Sequence, residues 1–267
     1  MSAPAQRVVS LNCSNTEIVC ALGCADRLVA VDADSDFPVD VVAGLPRVGR
    51  DLDIEIAAVA RLQPDLVLGS LTVPGHERVV AGLVAAGLRH LAPETQSLAD
   101  TYADILAIGA QLGVADRAAA LVQRMRAATA PVQPPGRRPR ILVQWWPKPV
   151  IAPGRRSWVH DLLLAAGADN PLGDRDVKSQ PLADAEVAAL APDAIVIAWC
   201  GVRPENYRPD RVRENPAFAA TPAVRRGAIH CVPEAFLGRP GPRLIEGFAA
   251  LHAIAVAAAA ASSCGDP

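Results

Sequence analysis

The chain has 267 residues, of which 51% are hydrophobic and 4% aromatic, and its 26 basic and 28 acidic side chains leave a formal net charge of −2. That length lies where one hydrophobic core stops growing and two form. The near balance of charge removes the electrostatic attraction that nucleic-acid binding needs, and the apolar share excludes a disordered body.

Taken in chain order, the apolar runs RVVSL (7–11), RLVAV (27–31), DLVLGSL (65–71) and RHLA (89–92) predict strands separated by segments able to form helices. Such alternation argues for a parallel sheet covered on both faces. From 98 to 129 the pattern changes to helical spacing and predicts one long helix. The stretch APVQPPGRRP (130–139) then breaks it with Pro and Gly. A second set follows, with strands predicted at RILVQWW (140–146), DAIVIAWC (193–200) and AIHCVPE (228–234), a helix from Ser157, and a closing helix over 242–258. The first and second sets repeat one another. RVVSLN (7–12) matches RILVQW (140–145), ARLQPDLVLGSL (60–71) matches AALAPDAIVIAW (188–199), and VAAGLRHLAPE (84–94) matches VRRGAIHCVPE (224–234). Three pairs in one order imply a duplicated unit. The expected fold is therefore α/β, with a lobe over 7–97, a connecting helix over 98–129 and a second lobe over 139–262. Most of the 24 prolines fall at element boundaries, where a missing N–H does no harm.

In sheets of this kind ligands sit beyond the carboxyl ends of the strands. That rule selects Asn12, Cys13, Ser14, Asn15 and Ser70 in the first set, and Trp145, Trp146, Lys148, Trp199, Cys200 and Phe236 in the second. Three of the four tryptophans thus fall at expected strand mouths. Each could pack the protein or touch a ligand, and together they favour a wide, flat, apolar guest. Arg50, Lys148 and Arg239, with Arg155 and Arg156, supply cations in nearby loops that suit carboxylates or amides on a ligand's rim.

The opening RVVSLNCSNTEIVCALG, the loop DSDFP followed by LPRVG, the unit IAAVARLQPDLVLGS, PGHERV and the closing GRPGPRLIEG together resemble the substrate-binding proteins of iron-siderophore, haem and vitamin B12 ABC importers. The likeness covers nearly the whole chain and is nearest to the cobalamin-binding branch. It implies two Rossmann-like lobes joined by one rigid helix, a ligand cleft between the lobes, no catalysis and no required cofactor. The implied ligand is a corrinoid, with haem or a ferric siderophore as alternatives. In that family an acid on each lobe docks on the permease. Glu77 stands at the first such position, whereas Gly238 stands at the second, which weakens the implied permease partnership.

Six cysteines occur without a Cys-x-x-Cys pair, so neither a zinc ribbon nor a thioredoxin site is indicated. Cys20 and Cys24 read as core residues. Cys13 and Cys200, with Cys231 nearby, are candidate ligands for a soft metal, and they support a rival reading as a cytosolic thiol- or metal-dependent enzyme. His90 and His230 occupy matching strand positions and read as structural, while His76 is expected to be exposed. No His-Glu-x-x-His, G-x-G-x-x-G or Walker sequence is present. The start MSAPAQRVVSL lacks the pattern of a secretory leader, and the Ala-rich tail reads as a frayed helix too short for a membrane span. The expectations that follow are a cytoplasmic monomer without membrane insertion, or a periplasmic or cell-surface protein if a leader has been trimmed.

Overall fold

The computed structural model describes residues 3–133 and 136–263, so Cys264 and the linker prolines Pro134 and Pro135 lie outside it. The chain divides into two compact units, Met1–Thr95 with Ala99–Met125, and Gln96–Leu98 with Arg126–Pro267.

The first unit runs β1 (Val8–Ser10), α1 (Cys13–Ala21), β2 (Leu28–Val31), α2 (Val39–Val42), β3 (Gly49–Arg50), β4 (Asp53–Ile54), α3 (Ile56–Arg61), β5 (Leu66–Leu68), α4 (His76–Ala85), β6 (His90–Leu91), α5 (Leu98–Gln111) and α6 (Ala115–Ala128). Its sheet is parallel in the order β2-β1-β5-β6, with β3 and β4 forming a small antiparallel hairpin. Every residue of β1 and β5 is buried, as expected for strands covered on both faces. The second unit adds β7 (Ile141–Gln144), β8 (Trp146–Pro147), β9 (Val150–Pro153), α7 (Trp158–Ala165), β10 (Ser179–Leu182), α8 (Asp184–Leu190), β11 (Ala194–Ile197), α9 (Pro209–Arg213), α10 (Pro222–Arg225), β12 (Ile229–Cys231), α11 (Glu234–Leu237) and α12 (Leu244–Ser263). Its parallel sheet is β12-β11-β7, beside an antiparallel sheet β10-β9-β8.

The duplication seen in the sequence is a duplication of strand pairing. β1 pairs β5 and β5 pairs β6, just as β7 pairs β11 and β11 pairs β12, all parallel. The repeated Pro-Asp performs the same task twice. Asp65 accepts the Gln6 and Arg7 N–H groups at 2.8 and 3.0 Å, and Asp193 accepts the Arg140 N–H at 2.8 Å. In return the Asp65 and Asp193 N–H groups donate to the carbonyls of Arg7 and Arg140 at 2.9 and 2.8 Å. Each Asp therefore locks the residue just before the neighbouring strand at the start of the ladder. The residue before each proline, Gln63 or Ala191, adopts a left-handed φ of 47° or 42°. Proline bars its predecessor from the right-handed helix, so the preceding helix stops there.

Asp193 is also buried against charge, with Arg137 Nη2 at 2.8 Å and Arg226 Nη1 at 3.7 Å. Replacing Asp193 by alanine is expected to lower stability by about 2–3 kcal/mol, because a charge-assisted acceptor for a backbone donor and the Arg137 guanidinium is lost, along with the charge facing Arg226. Urea unfolding measures this, and Asp193→Asn, which keeps an acceptor oxygen, should cost less.

The expected single helix over 98–129 is two helices of 14 residues each. Gly113 separates them at φ 67°, with its N–H donating to Ala110 O and the Val114 N–H to Gly109 O, a closed helix end. A Cβ at Gly113 would also lie 2.7 Å from Pro4 Cγ, so no other residue fits. The chain passes from the first unit to the second within α6.

The Ala-rich tail belongs to the 20-residue helix α12, whose Leu244–Ala261 stretch is long and apolar enough to cross a membrane by length and composition. In this fold Leu244, Leu251 and Ala255 are buried, and the His252 Nδ1–H donates to Ala166 O at the end of α7 at 3.2 Å. The tail that the sequence reads as frayed is thus packed helix as far as Ala259.

Candidate ligand-binding site

The most ligand-like stretch of the sequence, QWWPKPVIAP (144–153), folds as the end of β7 followed by the β8–β9 hairpin. The β7–β11 ladder runs past its strands, with Ala198 N–H donating to Gln144 O and Cys200 N–H to Trp145 O. The Trp145 N–H then donates to Ile151 O at 2.8 Å, which turns the chain into the hairpin. Successive residues of an extended chain face opposite ways. Trp145 is consequently half-buried, while Trp146 leaves 42% of its surface exposed.

Beside Trp146 lies a recess of about 290 Å³ within the second unit. Its remaining walls are Pro147, Trp199 and four residues from the segment after β11: Val202, Asn206, Arg208 and Arg211. Tyr207 and Val212 hold this segment down, since both are buried in the second unit's hydrophobic core. Tyr207 also meets the edge of Trp199 at 5.8 Å between ring centroids, and its hydroxyl accepts the Glu234 N–H at 3.0 Å. With those anchors inward, Asn206, Arg208 and Arg211 are left exposed along the recess.

The residues selected from the sequence separate into distinct environments. Trp199 is 4% exposed, and its indole N–H donates to the buried Gln144 Oε1 at 3.0 Å. It is a core residue that backs the recess, rather than a rim aromatic like Trp146. Asn15 and Ser14 are buried at the start of α1. The Asn15 amide donates to Gly69 O at 2.7 Å, tying α1 to the end of β5, and the Ser14 hydroxyl donates to the Asn12 side chain. Asn12 caps α1 by accepting the Asn15 N–H at 3.0 Å. These polar groups, selected by the strand-end rule, are largely spent on the helix terminus. Ser70 bonds Thr72 at 2.8 Å.

Of the cations, Lys148 is exposed at the tip of the β8–β9 hairpin. Arg50 is exposed and pairs with Asp34 at 3.1 Å. Arg239 is turned inward and pairs with Glu234 at 3.3 Å, with 13% and 18% of the two side chains exposed. Phe236 is half-buried beneath the Arg243 guanidinium, 5.5 Å from the ring centroid. Arg208, Arg211, Val202 and Asn206 were not anticipated, because they follow β11 by several residues, although the strand-end rule that selected Trp199 extends to the loop behind it.

His76, expected to be exposed, is buried, and its Nε2 meets Asp51 Oδ1 at 2.9 Å. Next to it Glu77 is exposed in the first turn of α4 and accepts the Gly75 N–H at 2.8 Å. At Gly238 a Cβ would lie 2.5 Å from Glu234 Oε1.

Among the described residues there is no group of three or more His, Cys, Asp and Glu side chains placed to hold a metal ion. Cys200 and Cys231 are exposed by surface area, yet the crowded strand ends desolvate their thiols and raise both pKa values, Cys200 to about 12. Burial thus disfavours the thiolate that a nucleophile needs. Cys24 is buried in the core, and burial pushes the half-buried Cys20 up to about 11.

Residues 8–235 match the family model described as periplasmic binding protein. The chain belongs to the periplasmic binding protein family. It is 28% identical over 251 residues to an uncharacterised ABC transporter substrate-binding lipoprotein, YvrC, of Bacillus subtilis, covering 91% of this chain and 77% of that one. It is 27% identical over 250 residues to the vitamin B12-binding protein of Vibrio cholerae, covering 91% and 86%. Among solved structures it resembles the periplasmic haem-binding protein RhuT of Roseiflexus sp. RS-1 in its apo form, with a TM-score of 0.80, 26% identity and coverage of 96% and 99%. This periplasmic binding protein is non-catalytic, as its family and relatives are substrate-binding proteins. The enzyme reading built on Cys13, Cys200 and Cys231 is therefore unsupported. The cytoplasmic expectation is also overturned, because the relatives are periplasmic proteins and a lipoprotein.

Proposed function

We propose that this protein captures a large metal chelate, a corrinoid first, for delivery to an ABC permease. The observation that carries the reading is the exposed indole of Trp146 over a recess at the carboxyl end of a parallel sheet, rimmed by Asn206 and two arginines. A flat ligand placed there loses apolar surface to water, and the polar rim sets its orientation.

The corrinoid is put first because the vitamin B12-binding protein of Vibrio cholerae is 27% identical over 250 residues, and haem and ferric siderophores remain the rival ligands of the same kind. Glu77, exposed at the start of α4, is the proposed contact for the permease.

Titration of the purified protein with cobalamin, hemin and a ferric siderophore, followed by tryptophan quenching and visible spectra, tests the reading. Micromolar or tighter binding of cobalamin, unaltered on recovery, is expected. Binding of none of the three would overturn the proposal, and a preference for hemin or the siderophore would replace the corrinoid by that ligand.

A further inference from the structure

The largely apolar recess carries two cations among its lining residues. Its lining includes Arg208 and Arg211 and no acid. The nearby acids are engaged elsewhere: Asp210 pairs with Arg213, and Glu205 lies 4.0 Å from Arg203. Arg208 is held in place because its Nη1 donates to the carbonyls of Glu205 and Tyr207, both at 3.0 Å. Those bonds use one nitrogen of a guanidinium that carries five N–H groups. Among the described residues the Arg211 guanidinium forms no hydrogen bond or ion pair, and neither does the Trp146 indole N–H. Two arginines, Trp146 and Asn206 thus line one recess that Pro147, Val202 and Trp199 make apolar. Guanidinium donors in that number match the oxygens of an anion far better than those of a neutral amide.

We infer that the recess between the Trp146 hairpin and the Arg208–Arg211 segment binds an oxyanion carried on the edge of the ligand, and so selects anionic chelates over neutral ones. The inference rests on the ligand-binding reading above and adds the charge of what is bound. The anion has two possible sources with the same chemistry, a peripheral carboxylate of a tetrapyrrole or the phosphodiester of a complete corrinoid.

Two matched pairs separate the sources: hemin against its dimethyl ester, and cobalamin against cobinamide, which lacks the phosphodiester. Dissociation constants are measured by tryptophan quenching for the wild type, for Arg211→Gln, which breaks no hydrogen bond of the protein, and for the double variant Arg208→Gln/Arg211→Gln. Thermal melts confirm that each variant is folded. In at least one pair the anionic member should bind the wild type about tenfold tighter, a difference of about 1.4 kcal/mol. That ratio should fall in Arg211→Gln and approach one in the double variant. The pair that shows the loss names the anion. Equal binding of both members by the wild type, or an undiminished ratio in the double variant, overturns the inference and leaves the ligand-binding reading intact. Failure of all four compounds to bind the wild type overturns the inference, and failure of the ferric siderophore as well overturns the ligand-binding reading.

Discussion

Replacing Trp199 by alanine is expected to destabilise the second unit by about 3–5 kcal/mol, the range for truncating a large aromatic in a close-packed core. The ring is packed in one cluster with Tyr207, Val212 and Phe218, so its loss opens a cavity under the segment that carries Asn206, Arg208 and Arg211. It also leaves the buried Gln144 Oε1 without its indole donor. Urea unfolding at constant m-value gives the number, and Trp199→Phe, which keeps most of the volume, should lose less than half as much. A loss below about 1 kcal/mol for the alanine variant would mean that Trp199 contributes to the ligand and not to the core.

The converse holds for Trp146. Its indole is exposed and makes no hydrogen bond among the described residues, so Trp146→Ala should change unfolding stability by no more than about 0.5 kcal/mol. Ligand affinity should fall by about tenfold or more, since an aromatic face over a flat guest is worth at least about 1.4 kcal/mol in lost contact. Fluorescence can no longer report through this residue, so the visible spectrum of the bound chelate supplies the dissociation constant. Equal affinity in wild type and variant would remove Trp146 from the site.

These two tryptophans look alike in the sequence, each at the end of a repeated strand. What separates them is long-range: Gln144 and Tyr207 must both come to Trp199, and Tyr207 lies on a segment whose path has no periodicity to read. The same segment hides Arg208 and Arg211. By contrast the strands of the two parallel sheets were legible as apolar runs, with the repeated Pro-Asp announcing β5 and β11, whereas the β3–β4 hairpin and the β8–β9–β10 sheet were not. The pairing of β1 with β5 and of β7 with β11 follows from that duplication. The interruption at Gly113 was visible as a glycine, but a helical pattern tolerates isolated glycines. Only the left-handed φ and the contact with Pro4 decide the break. Polar residues at strand mouths proved harder to assign. Asn12, Ser14 and Asn15 satisfy one another and Gly69 at the start of α1, and a helix terminus uses the same residue types as a polar ligand rim. Cellular location was misread because it rested on the first residues of the chain, whereas family membership is carried by the fold.

The most direct measurement is a hydrogen–deuterium exchange footprint with and without the chelate that binds best. Saturation should slow exchange in peptides spanning 144–150 and 199–212, the hairpin and the segment that border the recess. Saturation that leaves both peptides exchanging at their free rates would contradict the site, and with it the claim that Trp146 and the arginines beside it hold the ligand.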